Sequence, residues 1–240
     1  MADKSKHILI CGGTSRGGLD TAHLLTQDGF KCIVAGRHPP EDGEGLAYEA
    51  VDFADAASVN AFGGRLGAYD IDTCVFFQRS RSEDILESMQ VTVAASVAIV
   101  KDLEKSLGAN KGVVIFIGSI IGDKVGKEQT AAYHISKGSL GPLARFMAVQ
   151  YGSAGIRANV ISLSTLKHSR NEKGYAPGTA LDTITQKLIP IGRPTNVTDV
   201  VETIKFLSSP AATAINGQVI HMDGGLGVLS QISGAIQAMS

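Results

Sequence analysis

The sequence has 240 residues, of which 44% are hydrophobic and 28 are glycine, and its 22 basic and 23 acidic residues give a net charge of −1. Such a chain can bury a large core and make many tight turns, which excludes a disordered or fibrous protein and favours a layered α/β domain over a helical bundle. The balanced charge excludes an overall field that holds nucleic acid or an anionic membrane. We therefore expect the partners to be small molecules or further copies of the chain, with no nucleic acid and no membrane among them.

The three cysteines, Cys11, Cys32 and Cys74, each lie in or at the end of an apolar run, without a CxxC motif or metal-ligand spacing. We interpret them as buried free thiols of a protein in a reducing compartment, and we expect no metal. The apolar stretch at residues 8–11 is too short for a signal sequence, and no run reaches the length of a membrane span. These features predict a soluble, cytoplasmic protein.

Short β-branched runs alternate with longer segments of helical period from the first residues onward. This alternation predicts an α/β fold, with one Rossmann-type doubly wound domain over residues 1–240, a parallel sheet of about seven strands and helices on both faces. Ligands of such sheets bind beyond the carboxyl ends of the strands. The predicted strands are 7–11, 32–35, 49–52, 73–77, 113–118, 156–162 and 218–222, and the predicted helices are near 17–28, 55–64, 83–107, 130–152 and 196–208.

Two segments depart from this alternation. Residues 164–187 are polar and have helical spacing only in their last part, and a loop of that length inside a compact domain predicts a substrate lid. Its His168, Arg170 and Lys173 suit a polar or anionic substrate, with a solvated charged loop as the alternative. Residues 226–240 form a C-terminal tail, apolar at intervals, that either covers a neighbouring subunit's active site or closes an oligomer interface.

A glycine-rich turn follows the first predicted strand and opens the first helix. Glycines in such a turn allow backbone N–H groups to approach a pyrophosphate, and the helix N-terminus adds a favourable dipole. A tight turn without a ligand is the alternative explanation. The candidate cofactor-binding residues here are Gly12, Thr14, Ser15, Arg16 and Gly18.

Arg37 follows the second predicted strand, where the adenosine ribose of a dinucleotide would lie. A carboxylate at this point accepts a hydrogen bond from the ribose 2′-hydroxyl, whereas a guanidinium pairs with a 2′-phosphate, so Arg37 favours NADP(H) over NAD(H). An ordinary solvated arginine is the alternative. Asp52 and Phe53, at the close of the third predicted strand, are candidates to cap the adenine ring, and a loop or helix-capping role for Asp52 is the competing interpretation.

The strongest catalytic candidates are Ser119, Tyr133 and Lys137. Ser119 ends an apolar strand, and Tyr133 begins the next helix 14 residues later, with Lys137 four residues beyond it on the same helix face. A phenol has a pKa of about 10, and a neighbouring ammonium lowers it toward the working pH, which makes the oxygen a usable general acid or base. A tyrosine that only packs against the core is the competing interpretation, because YxxxK also occurs by chance.

Several segments around these residues resemble the short-chain dehydrogenase/reductase family, and among its members the 3-oxoacyl-acyl-carrier-protein reductases. They occur in family order and spacing across nearly the whole chain. The segments are 112–119, 132–137, 151–160, 189–194, 206–209 and 216–225.

The resemblance implies specific roles for the three candidates. Tyr133 would donate or accept the proton, Lys137 would lower the pKa of that phenol and hold the nicotinamide ribose, and Ser119 would orient the reacting oxygen. It also implies hydride transfer at a nicotinamide, with the protein supplying position and electrostatics. Family members are usually homodimers or homotetramers, here built through the helices near 83–107 and 130–152.

The chain departs from the family pattern at the glycine loop and after the sixth strand. Arg16 stands where the family has a second glycine, and Gly17 replaces a branched apolar residue. The arginine either displaces the pyrophosphate or binds a phosphate directly. The family's Pro-Gly after the sixth strand is Leu163-Ser164 here.

Two further departures border the same cofactor site. The run Phe76-Phe77-Gln78-Arg79 replaces a family sequence of two asparagines, alanine and glycine, which changes both room and charge. Phe77 is included among the candidate cofactor contacts. Thr92 stands where many members have an asparagine that supports a proton-relay water, and it is the weaker catalytic candidate because its hydroxyl is shorter than the amide.

Three hypotheses follow from the sequence. The first is an NADP-dependent oxidoreductase that interconverts a carbonyl and an alcohol on a small molecule. The second is a non-redox enzyme of the same fold that uses Tyr133 and Lys137 in an elimination, isomerisation or carbon–carbon bond step. The third is a non-catalytic binding subunit, which the retention of Ser119, Tyr133 and Lys137 disfavours.

Overall fold

A computed structural model describes residues 7–239, and its central strands form from buried runs that are rich in β-branched residues. All sheet pairings between them are parallel. The strands are β1 (His7–Cys11), β2 (Lys31–Gly36), β3 (Ala47–Ala50), β4 (Ile71–Phe76), β5 (Val113–Ser119), β6 (Arg157–Leu163), β7 (Leu166–Lys167), β8 (Thr195–Asn196) and β9 (Val219–Met222).

Seven of these strands form the main sheet, in the order β3-β2-β1-β4-β5-β6-β9, while β7 and β8 pair separately. The predicted α/β fold, one domain with a seven-stranded parallel sheet, is confirmed. The chain leaves β1 in one direction to build β2 and β3, then returns to β4 on the other side of β1. This reversal makes a crevice at the carboxyl ends of β1 and β4, the usual ligand position of a doubly wound sheet.

Helices cover both faces of the sheet, as predicted. One face carries a core that includes Phe62, Ile99 and Met147, and the other a core that includes Leu25 and Val201. The helices are α1 (Arg16–Gln27), α2 (Ala56–Arg65), α3 (Ile85–Met89), α4 (Ala95–Asn110), α5 (Ala131–Gly138), α6 (Leu140–Gln150), α7 (Ala180–Leu188), α8 (Val197–Leu207) and α9 (Gln231–Met239).

Among the predicted elements that differ from the structure, three are informative. The third strand ends at Ala50 rather than at residue 52, because the Asp52 carboxylate accepts from Ala54 N–H (3.0 Å) and starts the turn into α2. The predicted helix 130–152 divides into α5 and α6, because Pro142 in the first turn of α6 has no N–H to continue the earlier helix. The predicted helix 83–107 contains a π-helical turn, Gln90–Ala94, between α3 and α4.

The predicted lid, residues 164–187, contains β7, a short 3-10 helix at Glu172–Tyr175 and most of α7. The predicted tail, 226–240, contains α9, which packs against α7, while residue 240 lies outside the described residues, as do residues 1–6. The three cysteines are buried and unpaired in β1, β2 and β4. Between residues 7 and 239, no helix is both long and apolar enough to cross a bilayer.

Candidate active site

The turn between β1 and α1 places glycine backbone against the end of β4. Gly12 has φ +77°, and a Cβ atom there would lie 2.6 Å from the backbone nitrogen of Gln78. A Cβ at Gly18 would lie 2.7 Å from the carbonyl oxygen of Gly12. Both positions therefore require glycine, because backbone atoms cannot yield as a flexible side chain can.

The N-terminus of α1 opens at the crevice without a side-chain cap. Ser15 is the N-cap residue, but its hydroxyl donates to the carbonyl of Gly12 (2.7 Å) rather than accepting from the helix. The first N–H groups of a helix have no partner within the helix, and the helix dipole makes this end attractive to anions. Thr14 occupies the space next to Gly36, so this glycine also has no room for a side chain.

Arg16 is turned away from the helix terminus and toward the loop after β2. Its guanidinium lies 3.2 Å from a carboxylate oxygen of Asp42 and 3.7 Å from one of Glu41. Arg37 is exposed directly after β2, and no carboxylate of the described residues lies within 4 Å of it. Arg37 is thus free to meet a phosphate, whereas Arg16 already has acidic neighbours.

Two of the candidate cofactor-binding residues, Asp52 and Phe53, have side chains that make contacts within the protein. Asp52 accepts from Ala54 N–H in the turn before α2, which is a loop role, while Asp55 caps the helix by accepting from Ala57 N–H (2.9 Å). Phe53 is 7% exposed and packs within the core. The Phe53 ring is therefore not available to cap an adenine in the open crevice.

The predicted lid, residues 164–187, packs on the first turn of α1. A Cβ added at Gly17 would lie 3.0 Å from a methyl carbon of Leu166 and 3.9 Å from the ring of Phe77, which is half-buried. Farther along α1, Asp20 accepts hydrogen bonds from the backbone N–H (2.7 Å) and the hydroxyl (2.9 Å) of Ser169. Leu166 therefore fills the space that the branched side chain of the family pattern would occupy at position 17.

Replacing Gly17 with valine is expected to displace Leu166 and loosen the lid. Overpacking of this kind typically costs about 1–3 kcal/mol, so the Tm should fall and trypsin should cut within 164–187 more rapidly. Gly64→Val is the matched control, since a Cβ at Gly64 in α2 meets no atom within 4 Å. Equal loss of stability in the two variants, with unchanged proteolysis of the lid, would contradict the packing argument.

Ser119 ends β5 at the carboxyl edge of the sheet. It pairs in register with Leu163 of β6, and its hydroxyl oxygen accepts a long hydrogen bond from Ile121 N–H (3.3 Å). The side chain is half-buried. Because that contact uses the oxygen only as an acceptor, the hydroxyl proton remains available to a bound molecule.

Lys137 is buried one helical turn after Tyr133 on α5. Its ammonium donates to the carbonyl of Ile117 (2.8 Å), and no carboxylate of the described residues lies within 4 Å. Burial, and secondarily the positive charge of Arg79, lowers the pKa of Lys137 from 10.5 to about 8. The lysine is therefore an uncompensated buried cation.

The helix that carries Tyr133 and Lys137 is fixed at its start. Thr130 is its N-cap and accepts from Tyr133 N–H (3.2 Å). His134 bonds to the Thr130 carbonyl through Nδ1 (2.7 Å) and accepts from Gly126 N–H through Nε2 (3.1 Å). His134 thus holds the preceding loop in place.

Ser119 and Lys137 line one cavity of about 210 Å³, together with Asp123, Arg145 and Ser162. A larger open groove of about 360 Å³ lies between α1 and the lid, with Asp20 and His168 among its lining residues. The larger groove contains none of the catalytic candidates. The candidate site is therefore the smaller cavity, which contains Ser119 and Lys137.

Thr92 lies in the π-helical turn, is 3% exposed, and has a hydroxyl without a partner among the described residues. The Gln78 amide nitrogen donates to the Ser96 hydroxyl (2.9 Å), which itself donates to the Thr92 carbonyl (2.8 Å). The amide oxygen of Gln78, Oε1, is also buried, and it has no hydrogen-bond partner among the described residues. Thr92 was predicted as a weaker catalytic candidate, whereas no role was predicted for Gln78.

Arg79 is a departure from the family pattern in the sequence, but it was not among the predicted site residues. Its guanidinium carbon lies 5.9 Å from the centroid of the Tyr133 ring. The signal in the sequence was its replacement of a small residue directly after β4. Within residues 7–239, no group of three or more His, Cys, Asp or Glu side chains is arranged to hold a metal ion.

These features, a doubly wound sheet with a glycine turn and a buried lysine after a tyrosine, are typical of one class of oxidoreductases. A family model described as enoyl-(acyl carrier protein) reductase matches residues 74–227, more than half of the chain. The chain belongs to the short-chain dehydrogenase/reductase family.

Relatives with related activities align over nearly the full length of the chain. Carbonyl reductase family member 4 of Danio rerio is 26% identical over 94% of this chain and 99% of its own. The 3-oxoacyl-acyl-carrier-protein reductase MabA of Mycobacterium tuberculosis is 27% identical over 93% of this chain and 94% of its own. A solved oxidoreductase of this family from Burkholderia thailandensis superposes with a TM-score of 0.79 at 22% identity and covers 98% of each chain, which shows the shared fold.

Proposed function

We propose that the protein is an NADP-dependent oxidoreductase that interconverts a carbonyl and an alcohol on a small molecule, with Tyr133 as the general acid or base. The buried, uncompensated ammonium of Lys137, one turn after Tyr133, is the observation that carries the proposal. A buried cation without a counter-ion is costly to the fold, and such groups are more often found where chemistry needs them.

The residues at the crevice fit a dinucleotide. The uncapped start of α1 would hold the pyrophosphate through backbone N–H groups of the Gly12–Gly18 turn, with Thr14 and Ser15 shaping that turn. The free guanidinium of Arg37 would hold a 2′-phosphate. Arg16 would contact phosphate only by sharing its charge with Asp42. When bound, the nicotinamide cofactor supplies or accepts the hydride.

The side chains of the protein would handle the proton and the oxygen. Tyr133 would give its phenolic proton to the reacting oxygen during reduction and take it back during oxidation. Lys137, while charged, would stabilise the phenolate form of Tyr133 and hold the nicotinamide ribose. Ser119 would donate its hydroxyl proton as a hydrogen bond to the same substrate oxygen.

We further propose that residues 164–187 act as the substrate lid and that the protein works in the cytoplasm as a homodimer or homotetramer. The lid rests on α1 through Leu166 and Ser169, so its release would open the crevice. The oligomer would form through α4 and α6, where Phe146 and Val149 are 57% and 85% exposed. The tail would close such an interface.

Titration with NADPH and NADH, followed by fluorescence quenching, tests the cofactor assignment. We expect saturable NADPH binding and much weaker NADH binding. Arg37→Glu should weaken NADPH binding at least about tenfold, equivalent to about 1.4 kcal/mol, and should change NADH binding little. Lys31→Glu is the matched control, because Lys31 is exposed at the opposite end of the same strand.

Two results would count against the proposal. Equal affinity for NADPH and NADH, unchanged in Arg37→Glu, would remove the NADP preference. Absence of binding of either nucleotide would exclude hydride transfer and leave the non-redox use of Tyr133 and Lys137.

A further inference from the structure

Arg79 stands at the mouth of the site, directly beyond β4. Its guanidinium carbon is 5.9 Å from the Tyr133 ring centroid, close to the limit of a cation–π contact. The side chain is exposed, and no carboxylate of the described residues lies within 4 Å of it. The guanidinium is therefore held beside the proposed general acid without a protein anion to pair with.

The acidic side chains on the adjoining helix are already engaged. Glu87 accepts from the Ser80 hydroxyl (2.7 Å), and Asp84 caps α3 by accepting from Leu86 N–H (2.8 Å). Neither forms an ion pair with Arg79. Arg79 thus has no direct carboxylate partner on this helix.

Lys137 is a second cation at the same site. It also lacks a carboxylate partner, and the charge of Arg79 contributes to the lowering of its pKa. Two cations that repel each other at one site are unfavourable in the free protein. A bound anion would relieve both charges at once and would favour the charged form of Lys137.

We infer that Arg79 binds an anionic group of the substrate, a carboxylate or a phosphate, carried a few bonds from the carbonyl that reacts at Tyr133. The inference rests on the proposed function and specifies its substrate class as small oxo acids or oxo phosphate esters. A planar guanidinium suits such groups, because it can offer two parallel N–H donors to two oxygens. The cofactor also carries phosphates, so the test separates the two sources of negative charge.

The test compares Arg79→Leu with Arg81→Leu, since Arg81 is also exposed in the same loop. For each protein we would measure kcat and KM with NADPH for a series of 2-oxo and 3-oxo acids, each paired with its methyl ester. The wild type and Arg81→Leu should favour the acid at least about tenfold in kcat/KM, the discrimination expected from one charge-assisted contact. Arg79→Leu should lose that preference mainly through a higher KM.

A second measurement does not require turnover. Calorimetry with the nucleotide-free protein should detect binding of the preferred oxo acid, but not of its ester, and Arg79→Leu should bind the acid at least about tenfold more weakly. If catalysis fails with every carbonyl but this binding pattern holds, the proposed reaction is wrong and the anion site stands.

Three outcomes would overturn the inference. One is equal use and equal binding of acids and esters by the wild type. Another is a large loss of NADPH affinity in Arg79→Leu, which would assign the guanidinium to a cofactor phosphate. The third is a gain of NADPH affinity in that variant, which would show that Arg79 obstructs the cofactor.

Discussion

Tyr133→Phe is expected to lower kcat by about 10³-fold, within the range that general acid–base catalysis contributes, while NADPH binding is retained. The substitution removes only the phenolic oxygen, so the helix, the buried Lys137 and the crevice should remain. NADPH oxidation with a saturating oxo acid measures the rate, and fluorescence quenching measures the binding. Parallel losses in kcat and kcat/KM would show that the oxygen acts in the transition state.

Tyr69→Phe provides the matched control. Tyr69 precedes the amino end of β4, and its hydroxyl donates to Glu49 on the outer strand β3 (2.9 Å), three strands away from β4. The same atom is removed from a partly buried, hydrogen-bonded tyrosine, and kcat should remain near that of the wild type. Similar losses in both variants would indicate a general effect on the fold, and full activity of Tyr133→Phe would remove Tyr133 from the mechanism.

Lys137→Met is expected to abolish turnover and, in contrast, to stabilise the nucleotide-free protein at pH 7. The pKa of Lys137 is lowered from 10.5 to about 8, which corresponds to about 3 kcal/mol of cost to the folded state. Methionine has a similar length without the charge. Urea unfolding of both proteins, followed by circular dichroism from pH 7 to pH 10.5, measures the difference in free energy of unfolding.

The sign of the pH dependence follows from the two protonation states. Below about pH 8 the lysine is charged in both the folded and the unfolded chain, and its full cost is present. Above that pH the folded chain releases the proton while the unfolded chain keeps it up to about pH 10.5, so wild-type stability rises. The advantage of Lys137→Met should therefore shrink by about 3 kcal/mol across this range.

Exposed Lys101 on α4 supplies the control, since Lys101→Met should produce no such pH-dependent difference. The rate of carbonyl reduction by the wild type should also fall above about pH 8, because Lys137 loses the charge that supports the phenol. A constant stability difference between Lys137→Met and the wild type would mean that the ammonium carries no burial cost.

Much of the fold could be predicted from the sequence, because apolar runs and their spacing are local properties. Strand β1 has its predicted bounds, and the other main strands were recognised with small shifts at their ends. The division of α5 from α6 could have been predicted from Pro142, whose missing N–H interrupts the helix. The strands β7 and β8 could not, because a two-residue pair depends on a contact between residues 166 and 195.

The main residues of the candidate site could also be predicted from the sequence, but their contacts with distant loops could not. The positions of Ser119, Tyr133 and Lys137 follow from spacing along one strand and one helix. Other contacts depend on loops that meet only after folding. Arg16 points toward Asp42, and Leu166 packs against Gly17. Phe53 was misplaced because an aromatic residue after a strand has the same local pattern whether it enters the core or borders a ligand.

The reactivity of the three buried cysteines reports how often the central strands separate. Cys11, Cys32 and Cys74 lie on three adjacent strands, and burial raises the pKa of Cys32 to about 11 and also raises that of Cys74 well above its ordinary value. A thiol reagent reacts with the thiolate, so it meets these sulfurs only when the strands separate. The labelling rate therefore measures how often the centre of the sheet, and with it the floor of the crevice, comes apart.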